Sequence, residues 1–241
     1  MLAEAILSGD RREAEAQARA PIGFGGLFGG VMPATVKSLE DPDGQGRIKI
    51  ALAAVPDPAS ATCELWARVA TLFAGKDRGS WFMPEVDDEV LVAFEQGDPR
   101  RPYVLGGLWN GVDKPPQRGS NSNAIKQIKS KNGVVITIDD SQGQESLKLE
   151  TPAGQTITLK DGPGKIEIAD SNGNTIKLEA SGISIEAAAR LSISASQVSV
   201  SASMVSVDAG MSNFSGVVRA DTVICNSIIA ASYTPGAGNI W

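Results

Sequence analysis

Between Ile176 and Met211 the chain repeats one short phrase. IKLEASG (Ile176–Gly182) is followed by ISIEAAAR (Ile183–Arg190), LSISASQ (Leu191–Gln197), VSVSASM (Val198–Met204) and VSVDAGM (Val205–Met211). Aliphatic residues stand two apart and are separated by polar ones, which is strand alternation. A coiled coil needs apolar positions three and four apart, and Val, Ile and Ser are poor helix formers. Upstream, ITLKDGPGK and IEIADSNGN are looser copies with longer turns. The pattern predicts a stack of short strands from Val134 to Asp208. At the ~4.8 Å spacing of neighbouring strands, about nine of them build a rod roughly 40–45 Å long.

Each predicted strand turns only two branched side chains and one alanine to the same side. One chain stacking such strands on itself makes a solenoid; three chains wound round one axis make a narrow prism. The small aliphatic residues suit the narrow prism, and neighbouring chains then cover the strand edges. The expected trimer core is Ile176, Leu178, Ile183, Ile185, Leu191, Ile193, Val198, Val200, Val205 and Val207. Lys and Glu are frequent before Glu186 and scarce after it, so the shaft becomes less charged toward its C-terminal end.

A different pattern occupies residues 31–116. Strands are predicted near Gly46–Leu52, Leu65–Leu72, Val90–Phe94 and Tyr103–Trp109, with turn signals DPDGQG, FAGKDRG and EQGDPRRP between them. Trp66, Trp81 and Trp109 fall here, giving this part the bulk for a core of its own. About five short strands in some eighty residues predict a small closed barrel. Before it, residues 1–20 read as a short helical arm and PIGFGGLFGG (21–30) as a glycine-rich linker. Phe24, Leu27 and Phe28 in that linker either dock on a partner or ride on a flexible tether. The expected organisation is an arm (1–30), a barrel (31–116), a linker (117–130), a shaft (131–215) and a tip segment (216–241).

Composition removes several kinds of chemistry. There is no histidine, so Ser-His-Asp and Cys-His catalysis and His-ligated metals are excluded. The two cysteines, Cys63 and Cys225, lie far apart and suggest neither a disulfide framework nor a thiolate metal site. A formal net charge of −6 argues against a nucleic-acid partner. The N-terminus lacks the basic region and long apolar run of a secretory signal, which predicts a protein assembled in the cytoplasm. The acidic cluster Glu85–Glu89 fits no calcium-loop spacing and reads as a turn before a strand. The glycine runs lack the Lys-Ser/Thr ending of a phosphate loop. Arg100 and Arg101 read as a solvated hairpin. The expectation is therefore no enzyme, no cofactor and no metal.

The segment WARVATLFAGKDRGSWFMPEVDDEVLVAFEQGDPRRPYVLGGLWNGVDKPP (Trp66–Pro116) resembles the OB-fold domain of contractile-tail spike proteins, the VgrG family of type VI secretion and the phage baseplate assembly protein V group. The shared order is a Trp-x-Arg-Val strand, a glycine loop, Trp-Phe-x-Pro before an acidic turn, a Val-Leu-Val-x-Phe strand, then Gly-Asp-Pro, Arg-Pro, Leu-Gly and Trp-Asn-Gly. In that family the OB domain precedes a trimeric β-helical needle. The resemblance implies an all-β spike: an OB-fold barrel followed by an intertwined homotrimeric needle that pierces a target envelope at the front of a tail tube. With only about 30 residues before the barrel, it implies a separate baseplate hub protein, contacted by Phe24, Leu27 and Phe28. Without histidine there is no His-x-His tip, which implies a separate PAAR-type tip protein and transient contact with the target membrane. Tyr233 and Trp241 in the apolar tail either seat that tip or fold back to plug the prism. The alternative is a nucleic-acid-binding OB module with an oligomerisation tail.

Overall fold

The computed structural model describes residues 30–53 and 62–232. The helical arm, the linker with Phe24, Leu27 and Phe28, and the tail with Tyr233 and Trp241 lie outside the described residues. The described chain is all-β apart from one 3₁₀ turn, Glu95–Gly97.

Five strands close the barrel: β1 (Val31–Ser38), β2 (Ile48–Leu52), β3 (Cys63–Val69), β6 (Glu89–Phe94) and β7 (Pro102–Gly107), in the order β1-β2-β3-β7-β6. All neighbours are antiparallel except β3 and β7. Between β3 and β6 a small hairpin, β4 (Ala74–Gly75) and β5 (Arg78–Gly79), stands apart from the barrel sheet. Alternation decides which side chains face inward. Ile48, Ile50 and Leu52 of β2 and Val90, Val92 and Phe94 of β6 enter the core, with Val36, Ala67 and Val104. Register breaks at Val36/Ser38 and Leu91/Val92 give the local bend that closure requires. The strand Val31–Ser38 was not among those predicted; Pro33 and the preceding glycines conceal its alternation.

Seven further strands form one antiparallel meander: β8 (Ile125–Lys129), β9 (Val135–Asp139), β10 (Ser146–Glu150), β11 (Thr156–Lys160), β12 (Lys165–Ala169), β13 (Thr175–Glu179) and β14 (Gly182–Glu186). Each strand is paired with its sequence neighbours without a register shift. The sheet begins inside the segment expected to be a linker, because IKQIK alternates well enough to pair with β9. It ends at Glu186, well short of Asp208. From Ala187 to Ser232 the described residues contain no strand or helix, so LSISASQ, VSVSASM and VSVDAGM form no ladder with the other described residues.

Glycine accounts for that boundary. Reversals in the meander use Gly133, Gly143, Gly154 and Gly173, all with φ between +73° and +89°, a region that costs other residues about 1–2 kcal/mol. From Ile183 to Ala209 there is no glycine, asparagine or proline. The chain there has no inexpensive means of doubling back on itself. Over residues 125–186 consecutive strands lie side by side on a single chain. Residues 1–189 and 190–241 are two separate units.

Candidate functional site

In each strand of the meander the second and fourth residues share one face. Register joins them into two rows. One row runs Ile138, Leu147, Leu159, Ile166, Leu178, Ile183; the other runs Ile128, Ile136, Leu149, Ile157, Ile168, Ile176, Ile185. Lys126 stands where the first row would continue onto β8.

This face is open. On β9 through β13 its aliphatic side chains are 37–46% exposed, and on the edge strand β14 Ile183 and Ile185 are more exposed still. The opposite face carries Thr137, Lys148, Thr158, Glu167 and Lys177 at its centre, and these are the half-buried residues. Lys165 there bonds Glu167 at 3.0 Å and reaches Glu179, its cross-strand partner, at 3.7 Å. Lys148 pairs with Glu150 at 2.8 Å. Such surface pairs add little stability individually, but they mark this as the solvent side. A two-sided sheet with its apolar side bare is an incomplete structure. Covering the remaining surface of one such Ile or Leu is worth about 1 kcal/mol, and the two rows hold thirteen of them.

Four of the expected core residues, Ile176, Leu178, Ile183 and Ile185, lie in these rows. The other six, Leu191, Ile193, Val198, Val200, Val205 and Val207, lie in the second unit, exposed and outside any strand. The rows also contain residues absent from the expected set, from Ile128 through Ile168. Their signal was legible in VVITID, SLKLE, TITLK and KIEIA, where the alternation matches the later repeats but the spacing between strands varies.

The turns carry the pH-sensitive groups. Asp170 accepts hydrogen bonds from the Asn172 and Asn174 backbone N–H groups, both at 2.9 Å, and from the Asn174 side-chain amide at 2.7 Å. The Asn174 amide is the largest cause holding its carboxyl down at about 2. Asp139 is lowered chiefly by Ser141.

In the barrel, polar and aromatic side chains hold turns and strands together. Asp41 accepts from the backbone N–H of Gln45 (2.8 Å) and Arg47 (3.1 Å) and from the Arg47 guanidinium (2.7 Å), which keeps its carboxyl well below the ordinary range. Arg47 lies over the Trp66 ring at 5.7 Å, and Arg68 over Tyr103 at 5.5 Å. The Tyr103 hydroxyl donates to Glu95 at 2.6 Å, which raises the phenol and lowers the carboxyl. Asn110 donates to Glu89 and accepts from the N–H groups of Val112 and Asp113. Glu85–Glu89 forms a turn closed by Glu85 N–H to Asp88 (2.8 Å), leading into β6. Arg100 and Arg101 are ion-paired with Asp98 and Glu95. Their charge is thereby balanced by neighbouring carboxylates. Among the described residues no cluster of three or more His, Cys, Asp or Glu could hold a metal ion, and no helix is long and apolar enough to cross a membrane.

Comparison with known proteins joins these two parts. Residues 32–109 match the type VI secretion system/phage-baseplate injector OB domain. Residues 146–211 match the phage baseplate V C-terminal trimerisation domain, which takes in the apolar rows from Leu147 onward and the glycine-free repeats. The spike protein VgrG1c of Pseudomonas aeruginosa is 30% identical over 113 residues, covering 44% of this chain and 16% of its own length. VgrG3 of Vibrio cholerae is 32% identical over 94 residues, covering 39% of this chain and 9% of its own. The matching region thus spans less than a fifth of each of these relatives. With the injector barrel and the trimerisation domain in the same order on one chain, the protein belongs to the phage-baseplate V and type VI spike family.

Proposed function

We propose that this protein is the central spike of a contractile injection apparatus, a homotrimeric needle at the front of the tail tube that pierces a target envelope. The observation that carries this reading is the pair of unbroken aliphatic rows facing outward on a sheet that follows an injector barrel. Three such faces turned toward one axis cover one another and leave the Lys/Glu faces in solvent. The seven strands then stack to about 30 Å of prism at ~4.8 Å each. Beyond Glu186 the glycine-free repeats continue it by pairing with the other two chains, since they lack the turns to pair with themselves. Load on such a shaft is shared by a continuous hydrogen-bond ladder and an aliphatic core, as piercing demands.

In this reading the protein assembles in the cytoplasm without a cofactor or a catalytic role. Residues 1–30, with Phe24, Leu27 and Phe28, dock on a separate hub protein. The end bearing Tyr233 and Trp241 seats a small PAAR-type tip, and contact with the target membrane is transient. Light scattering of the purified chain should return the mass of three copies, and a stable monomer would sink the proposal. Amide exchange should show Leu191–Val207 protected in the trimer. Fast exchange there in a confirmed trimer would limit the shaft to the meander.

A further inference from the structure

A second apolar surface remains outside the rows. The loop between β3 and β6 is a finger, closed at its base by hydrogen bonds. Thr71 donates from its hydroxyl to the Ser80 carbonyl at 2.6 Å and also meets the Ser80 hydroxyl. The Leu72 N–H donates to the Ser80 hydroxyl (3.2 Å), and the Ser80 N–H to the Phe73 carbonyl (3.1 Å). The β4–β5 hairpin forms its end, turning at Asp77, whose φ is +55°. This well-braced element exposes Leu72, Phe73, Trp81 and Phe82, each between 59 and 90% open. The edge of the Trp81 indole lies over Gly46, where a Cβ would come within 3.3 Å of the ring, so the ring is positioned while most of it stays bare.

Four large apolar side chains held out on a hydrogen-bonded finger mark an interface. The finger is tied to the sheet that carries the apolar rows. The segment that follows Phe82 carries Glu85, which takes an ion pair at 3.0 Å from Lys131 in the β8–β9 turn. Whatever gathers three sheets round an axis therefore also gathers three fingers close to it. Contacts round a three-fold axis are head-to-tail, so a finger must meet a different surface on the next chain. The end of β7 and the stretch leaving it offer one, with Leu105, Trp109 and Val112 all exposed.

We infer that the Leu72–Phe82 finger is an inter-chain clasp, packing its Phe73, Trp81 and Phe82 side chains on the Trp109 region of the neighbouring copy and locking the three barrels into a ring above the shaft. The inference rests on the trimer reading. The clasp gives the barrels an orientation that sheet pairing alone does not set.

Trp81 reports on the clasp directly. In the purified full-length trimer, the difference between the native protein and Trp81→Phe isolates its fluorescence. That contribution should be blue-shifted and quenched by acrylamide several-fold less than free tryptophan. Trp109→Ser should leave the three-chain mass unchanged and restore strong quenching of Trp81. A confirmed trimer whose Trp81 is quenched like free indole overturns the clasp and leaves the spike reading standing. Protection of Trp81 that survives Trp109→Ser overturns the pairing stated here. A monomer by light scattering overturns the spike reading, and the clasp with it.

Discussion

The barrel and the meander use the same alternation of aliphatic and polar residues to opposite ends. In the barrel, Val36, Ile50, Val90 and Val92 are wholly buried by their own chain. In the meander, Leu147, Leu149, Ile157 and Ile166 repeat the pattern on an open sheet and stay 37–40% exposed among the described residues. The difference is closure. A sheet curled on itself covers its own inner face, whereas an open sheet must borrow a cover. The repeats after Glu186 take the dependence further, because among the described residues they form no strand.

The sharpest way to break that contrast is a charge in the rows. Leu149→Asp would bury an unpaired carboxylate three times over, each costing several kcal/mol. Trimers should disappear on light scattering while the near-ultraviolet signal of the barrel tryptophans persists. Lys148→Ser, on the opposite face of the same strand, should shift stability by no more than ~0.5 kcal/mol. Loss of trimers in both variants would place the interface elsewhere.

The converse change falls in the barrel. Ile50→Ala should cost about 2–5 kcal/mol, as large-to-small changes in a closed core do. Chemical denaturation should then show an early barrel transition with the shaft trimer intact. A single concerted transition would mean that the two regions depend on each other more than their packing implies.

A smaller effect tests the turns. Gly143 has φ +73° and open space where a Cβ would go, so Gly143→Ala isolates the backbone conformation, at about 1–2 kcal/mol. Gly164, with no positive φ and its nearest neighbour 3.9 Å away, should tolerate alanine far better. Thermal melts of the two variants compare them directly.

The smallest expected effect is titration. Asp170, held at about 2 mainly by the Asn174 amide, and Asp98, held at about 2 mainly by the Arg100 guanidinium, both sit below the ordinary 3.8. A depressed carboxyl stabilises the fold above its unfolded value, and that contribution is lost as pH falls through the folded one. Melting temperature should therefore drop modestly between about pH 4 and pH 2. Asp170→Asn should flatten the meander's share of that drop, and Asp98→Asn the barrel's.

Much of this was legible residue by residue. GRIKIAL and EVLVAF announce barrel strands because their alternation is clean and their turns are rich in Gly, Asp and Pro. The repeats from Ile183 to Met211 also alternate as strands do, but only the first of them, at Ile183–Glu186, is a strand among the described residues. Val31–Ser38 was missed because Pro33 and flanking glycines obscure its period. IKQIK at Ile125–Lys129 was hidden by its charge, which suits an edge strand with one solvated face. The finger was visible only as a glycine loop, since nothing in LFAGKDRGSWF says that Ser80 will lock against Thr71 and hold the aromatics outward.

Local rules decided the strand periods, the absence of histidine chemistry and the points where the backbone can reverse, because alternation, composition and glycine act over a few residues. They left open which strands become neighbours, so they could not tell a self-paired meander from chains wound together over residues 125–186. That choice belongs to long-range pairing. It is settled where register lines thirteen aliphatic side chains into two rows and leaves them without a cover.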